Sequence, residues 1–259
     1  MIFMRHFFQN LKNIVDFQLR QMLDFSRKDF YIENEPKEGL FQGLALLNTE
    51  KQLVEKYNLI ELKNNSTCLN YLENLYMTDV LDRFLEVDFE SELNVLDIGC
   101  KNWFYAKGEY FFFKKHCDKL KLDGIELDAN RVYSNFYSRK EVAKYYTKGL
   151  GGVNYISGDF LNHSDKYDYI VWILPFVFER PLVKWGLPMK YFKPKEMLIH
   201  AYDSLKEGGK IFIINQGEDE FEAQKALCGE LQISYNAIGI VESGFFSCKH
   251  KRYLLIINK

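Results

Sequence analysis

From Asn94 onward the chain alternates short apolar runs with stretches of helical periodicity, and no other feature constrains its fold as much. NVLDI (94–98), KLDGIEL (121–127), VNYISG (153–158), YDYIVWIL (167–174) and KIFIIN (210–215) read as strands. Helical patterns fall at about 104–117, 130–147, 194–206 and 219–229. Strand runs separated by helices imply βαβ units and a mainly parallel, doubly wound sheet. ISYNAIGIV and RYLLIIN close the chain with no long helix between them, which predicts an antiparallel hairpin at one edge. The expectation is an α/β domain over residues 91–259, built on a seven-stranded sheet. Residues 1–90 precede it as a helical extension or lid.

In that extension, Phe3, Phe7, Leu11, Ile14, Val15, Leu19 and Met22 recur at helical spacing over residues 1 to about 27. Such a stripe predicts a helix packed on its own domain. A helix lying on a membrane surface is the alternative, although its polar face is not strongly basic. KDFYIENEPKEGLFQ (28–42) reads as a loop, and two further helices are expected near 43–58 and 67–86. Ser66-Thr67 offers a cap for the second of these.

Bulk composition excludes several function classes. The 259 residues are 47% hydrophobic and 27% charged, with a formal net charge of -2. That fits a globular chain with a large core and gives no strong nucleic-acid signal. The five cysteines (Cys68, Cys100, Cys117, Cys228, Cys248) form no CxxC pair and no ligand-spaced cluster with the histidines. No metal site is therefore expected, and scattered thiols suit a reducing cytoplasm. No apolar run approaches the roughly 20 residues that cross a bilayer. Arg5, His6, Lys12 and Asp16 interrupt the N-terminal run, which does not read as a signal peptide.

In an open parallel sheet, ligands bind beyond the carboxyl ends of the strands, near the point where strand order reverses. Asp97, Gly99 and Cys100 follow the first strand, Glu126 and Asp128 the second, and Gly158, Asp159 and Phe160 the third. LPFVFE follows the fourth and NQGEDE the fifth. This ordered set resembles the class I S-adenosylmethionine-dependent methyltransferases, Rossmann-like enzymes, over roughly residues 93–259. LDIGC matches that family's acidic, glycine-rich turn, and LKEGGKIFIIN its passage into the fifth strand. The resemblance implies S-adenosylmethionine as cofactor, with Glu126 on its ribose hydroxyls and Asp159 on its adenine amino group. It also places Asp97, Gly99, Cys100, Lys101, Asp128 and Phe160 at the cofactor. The chemistry agrees, because a carboxylate accepts two hydroxyl donors in charge-assisted bonds. For Glu126 and Asp159 a solvated helix cap is the plainer alternative.

The chain departs from the family where D-x-G-x-G-x-G keeps only Gly99 and sets Lys101 and Trp103 in place of the later glycines. Asn102 tolerates the left-handed region, so the turn's strained position is expected there. Lys101 either pairs with the cofactor carboxylate or points to solvent. A dinucleotide oxidoreductase is disfavoured, since G-x-G-x-x-G is absent and Asp97 would repel a pyrophosphate.

On the acceptor side, Ile173-Leu174-Pro175-Phe176 stands where amino-group methyltransferases carry Asn/Asp-Pro-Pro-Tyr/Phe. Ile173 cannot accept a hydrogen bond from an amine, which argues against adenine or amide nitrogen as acceptor. The insertion 177–195 mixes aromatics (Phe178, Trp185, Tyr191, Phe192) with bases (Arg180, Lys184, Lys190, Lys193, Lys195) and three prolines. Pro175, Phe176, Arg180 and Trp185 are the substrate-wall candidates, and an ordinary capping segment is the alternative. His163, Asn215 and Gln216 are weak catalytic candidates, and His200 reads as a helix residue against the sheet. The reading is methyl transfer to a small molecule; a non-catalytic cofactor-binding or interaction module of the same fold is the alternative.

Overall fold

The computed structural model describes the backbone of residues 2–259 and the side chains from Phe7 onward, so Phe3 of the N-terminal stripe lies outside the described side chains. Four helices come first: α1 (Ile2–Met22), α2 (Leu44–Tyr57), α3 (Ile60–Asn64) and α4 (Cys68–Phe84). Then follow β1 (Glu90–Ile98), α5 (Ala106–Lys114), β2 (Cys117–Glu126), α6 (Arg139–Tyr146), β3 (Val153–Ser157) and β4 (Tyr167–Ile173). The chain continues through α7 (Glu179–Lys184), α8 (Pro194–Ser204), β5 (Leu205–Gln216), α9 (Gly217–Glu230), β6 (Tyr235–Val241) and β7 (Arg252–Asn258).

The seven strands form one sheet in the order β3-β2-β1-β4-β5-β7-β6. The first five are parallel, while β7 runs antiparallel between β5 and β6. Strand order reverses between β1 and β4, so the crevice above their carboxyl ends is where such a sheet binds ligands. One core, containing Val95, Leu122, Val171 and Phe212, fills the face under α4 and α5. A second, containing Leu96, Ile125, Ile170 and Ile213, fills the face under α8 and α9.

Local chemistry sets several boundaries. Thr67 caps α4, its side chain accepting from the Asn70 amide. Ser138 and Glu141 form a reciprocal capping box that starts α6. That cap explains why the helix expected over 130–147 begins only at Arg139. The preceding residues instead form a turn in which the Arg139 amide bonds to the Arg131 carbonyl. The five-residue α3, between the helices expected near 43–58 and 67–86, is the one helix before β1 that the periodicity missed.

The expected packing of α1 is overturned. Phe7, Leu11, Val15, Leu19 and Met22 face outward, and it is Asn13 and Phe17 that are buried. The polar side chains win the inward face because the insertion offers them backbone carbonyls. Asn13 Nδ2 donates to the carbonyls of Val183 (2.9 Å) and Leu187 (3.0 Å). Phe17 sits against Tyr191 with ring centroids 5.1 Å apart. Among the described residues, no helix is long and apolar enough to cross a membrane.

Candidate active site

A cavity of about 680 Å³ opens at the carboxyl ends of the parallel strands. That volume lies in the range of small-molecule sites, roughly 300–1,000 Å³. Gly99, Cys100 and Lys101 from the β1 loop form part of its wall, with Glu126 after β2 and Asp159 and Phe160 after β3. Ile173 through Val177, residues of the insertion, and Gln216, Glu220 and Gln224 line it as well.

The β1 loop carries two strained residues, and neither is Asn102. Lys101 has φ +60° and Trp103 φ +47°, in addition to Gly99 at +74°. The left-handed backbone is therefore kept at the positions where glycine would permit it freely. Left-handed geometry costs a residue with a Cβ roughly 1–2 kcal/mol, so something must hold each one. The Lys101 amide donates to Glu126 Oε2 (3.0 Å), and the Lys101 carbonyl accepts from the Tyr155 hydroxyl (2.6 Å). Trp103 is fully buried, and its indole N–H donates to Glu109 Oε2 (2.9 Å). The strain sits at the wall of a cavity, where strained residues concentrate. Leu174, just beyond β4 and also in the wall, is left-handed too at φ +58°.

Electrostatics separates what faces the cavity from what supports it. Lys101 lies in the wall, and none of the described carboxylates lies within 4 Å of its ammonium. Burial, followed by repulsion from Arg139, holds its pKa below the ordinary lysine value. Its Nζ is 5.3 Å from the Trp185 ring centroid, and the Arg139 guanidinium is 5.2 Å from the same ring. Trp185 thus lies over two cations at the β1-loop end of the cavity, and 6.4 Å from Phe176.

Glu126 reaches the cavity already engaged. Oε1 accepts from the Asp128 amide (2.8 Å) and Arg139 Nη1 (2.9 Å), and Oε2 from the Lys101 amide. A carboxylate offers about four acceptor directions, so about one is left for a ligand. Asp159 accepts from the Leu161 amide through Oδ1 (3.1 Å) and starts the short 3-10 turn 160–162. Its other oxygen has no protein donor among the described residues.

Several expected residues do not reach the wall. Asp97 is fully buried behind the loop near Trp103, Tyr105 and Glu109, where burial above all pushes its carboxyl up to about 7. Burial and the adjacent Asp97 also hold Glu109 well above the usual range. Two acids so close cannot both ionise in a dry site. Asp128 is taken by Arg20 (2.8 Å) and Arg131 (2.7 Å). His163 bonds the Tyr167 hydroxyl (2.5 Å), which donates to Asp123 (2.9 Å). Asp123, His163 and Asp165 cluster, and Lys121 bonds both acids at 3.0 and 2.7 Å, filling the place of a cation. His200 lies on α8, as expected of a helix residue outside the site, and packs on Phe160 with 4.7 Å between centroids. Asn215 is buried and likewise absent from the wall.

Pro175, Phe176, Arg180, Trp185 and Gln216 do line the cavity. Glu220, which NQGEDE sets at this strand end beside Asn215, Gln216 and Glu218, lines it too. Gln224 was missed, though Gln216, Glu220 and Gln224 recur at i, i+4 and i+8, which puts them on one face of α9. Glu220 accepts from the Gln216 amide (2.9 Å), and burial raises its pKa. Gln224 is 1% exposed and its Nε2 has no protein partner.

With this geometry in place, solved structures provide a comparison. A putative S-adenosylmethionine-dependent methyltransferase from Methanococcus maripaludis superposes with a TM-score of 0.51 at 14% identity, covering 81% of this chain and 93% of that one. The chain has the class I methyltransferase fold. A cyclopropane-fatty-acyl-phospholipid synthase-like protein from Lactobacillus casei shares it, with a TM-score of 0.56 at 8% identity over 81% of this chain and all of that one. No protein-family model and no curated protein sequence matches the chain.

Proposed function

We propose that this protein transfers a methyl group from S-adenosylmethionine to a small acceptor with an apolar or aromatic body and an acidic group. The observation that carries the reading is the β1 loop. It keeps the backbone path of a glycine-rich turn at Lys101 and Trp103 despite the strain, and it lines the same cavity as Glu126 and Asp159. Retaining strain where a ligand must approach closely is how functional loops behave.

The residues present fit the cofactor. The unpaired Lys101 ammonium suits its carboxylate. The remaining acceptor direction of Glu126 suits one ribose hydroxyl, and the free oxygen of Asp159 suits an adenine amino group. The chemistry supplied by the bound group is an electrophilic methyl on a sulfonium. Ile173, Leu174, Pro175 and Phe176 exclude water around the acceptor, while Arg180, Lys184 and Lys193 place positive charge at the rim. Glu220 is the carboxylate in the acceptor half of the wall and acts as base toward an acceptor hydroxyl. Its raised pKa brings it closer to the working pH of a general base. Residues 1–90 act as the extension that holds the insertion in place through α1.

Titration calorimetry with S-adenosylmethionine and its demethylated product tests the reading, followed by a methyl-transfer screen over hydroxylated aromatic and aliphatic acids. Binding of both compounds with turnover of at least one acid is expected. Binding of neither removes the enzyme reading and leaves the non-catalytic module.

A further inference from the structure

Trp185 reaches the cavity from a weak element. It stands at the C-cap of α7, a helix of six residues, and so short a helix is marginal alone and takes its place from tertiary contacts. The inward face of α1 supplies them. Asn13 Nδ2 donates to the carbonyls of Val183 (2.9 Å) and Leu187 (3.0 Å), two residues to either side of the tryptophan. Arg20 Nη2 donates to the carbonyl of the next residue, Gly186 (3.0 Å), and the Met189 amide donates to Asn10 Oδ1 (2.8 Å). Asn10, Asn13 and Arg20 therefore grip the backbone around Trp185 while lying outside the cavity wall.

What the Trp185 ring covers is the ammonium of Lys101. Nζ lies 5.3 Å from the Trp185 centroid and 5.9 Å from that of Phe104, and both rings line the cavity. Aromatic faces displace water from an ammonium. A charge pair shielded from water is stronger, and less open to screening by salt, than one at the surface.

We infer that α1 positions Trp185 as a roof over Lys101, and that this roof is what makes Lys101 an effective partner for a ligand carboxylate. Asn13 is the positioning residue and Trp185 the roof. That the carboxylate belongs to the cofactor rests on the methyltransferase reading; the placement of Trp185 by α1 does not. Trp185 then serves the β1-loop end of the cavity rather than the acceptor half.

Two measurements on the full chain test the inference. Acrylamide quenching of tryptophan fluorescence reads the roof without ligand, because Trp103 is fully buried and Trp172 is 6% exposed, against 38% for Trp185. Asn13→Ala is expected to shift quenching towards that of a free tryptophan, and to change nothing in a Trp185→Phe background. Calorimetry with the demethylated cofactor at low and high salt reads the consequence. Wild-type affinity is expected to vary little with salt. Asn13→Ala and Trp185→Ala should each weaken binding about tenfold and make it salt-sensitive, and the double variant should lose no more than Trp185→Ala alone. Unchanged quenching in Asn13→Ala, or losses that add and keep the wild-type salt dependence, would overturn the inference. Should Asn13→Ala not fold, Arg20→Met releases the Gly186 carbonyl and is read by the same quenching. Absence of binding in the wild type overturns the methyltransferase reading and the ligand named here, and quenching still decides whether α1 places Trp185.

Discussion

The Trp103 indole lies against the bare Cα of Gly124, its register neighbour being Asp97 on β1; a Cβ at Gly124 would meet ring atoms at 2.7 Å. The absent side chain on β2 makes the room that the left-handed Trp103 needs. Gly124→Ala is expected to destabilise by about 1–3 kcal/mol through overpacking, and Trp103→Leu through a cavity. Because the two share one space, the double variant should lose less than the sum by about 0.5–3 kcal/mol. Urea unfolding of the four proteins measures this, and simple additivity would show that the contact carries no energy.

Lys101 separates strain from charge. Lys101→Gly relieves the left-handed backbone and should gain about 1 kcal/mol of stability, whereas Lys101→Ala should not. Both remove the ammonium, so both should weaken cofactor binding about tenfold or more, from the roughly 1.5–3 kcal/mol of a charge-assisted hydrogen bond. Unchanged affinity in both would place Lys101 outside cofactor binding.

The engagement of Glu126 predicts asymmetry between the ribose hydroxyls. With about one acceptor direction left, the 2′-deoxy and 3′-deoxy forms of the demethylated cofactor should differ, one binding nearly normally and the other far more weakly. Equal losses would mean that Arg139 withdraws when ligand binds. Glu126→Ala should also cost about 3–5 kcal/mol of stability, because it strands the buried Arg139, so affinity must be read on folded protein.

The buried Asp97–Glu109 pair makes stability depend on pH. Its folded-state pKa values are raised, Asp97 to about 7 against 3.8, so the native state holds more protons than the unfolded chain between those values. Stability contributed by this pair is therefore highest near pH 4 and falls as pH rises towards 7. Asp97→Asn should flatten that slope in chemical denaturation across the interval, and a slope unchanged from wild type would refute the assignment.

Glu220 should act on turnover without acting on cofactor affinity. Once an acceptor is in hand, Glu220→Gln is expected to lower kcat by roughly 10²–10⁴-fold and to leave the cofactor Kd as it was. In wild-type protein the rate should climb with pH as Glu220 loses its proton, at a point above the ordinary glutamate value.

The sheet was readable because apolar runs such as NVLDI and YDYIVWIL cannot be covered except between helices, and their order implied the switch between β1 and β4. The loop after β1 was only half readable. Asn102 has the better propensity for left-handed backbone, yet the fold places that geometry at Lys101 and Trp103 because Glu126, Tyr155 and Glu109 hold them there. Glu126 and Tyr155 are distant in sequence, and nothing local marks Glu109 as the partner of a buried indole. Asp97 and Asp128 sit at the right strand ends but turn into the protein, towards Glu109 and Arg20, and no local pattern shows which way a strand-end acid points. The face of α1 was misjudged for a similar reason. Periodicity identifies a stripe without saying whether the protein or its surroundings cover it, and here the carbonyls of Val183 and Leu187 claimed the polar side.

The Trp103–Gly124 contact also bears on which sequences this chain can reach by single substitutions. Replacing Trp103 by glycine leaves an indole-sized void, and enlarging Gly124 first drives a methyl into the ring. Each single step lowers stability before a second could restore it. A chain holding this pair is therefore entrenched, free to change elsewhere yet barred from reaching a triple-glycine turn by steps that each keep its stability.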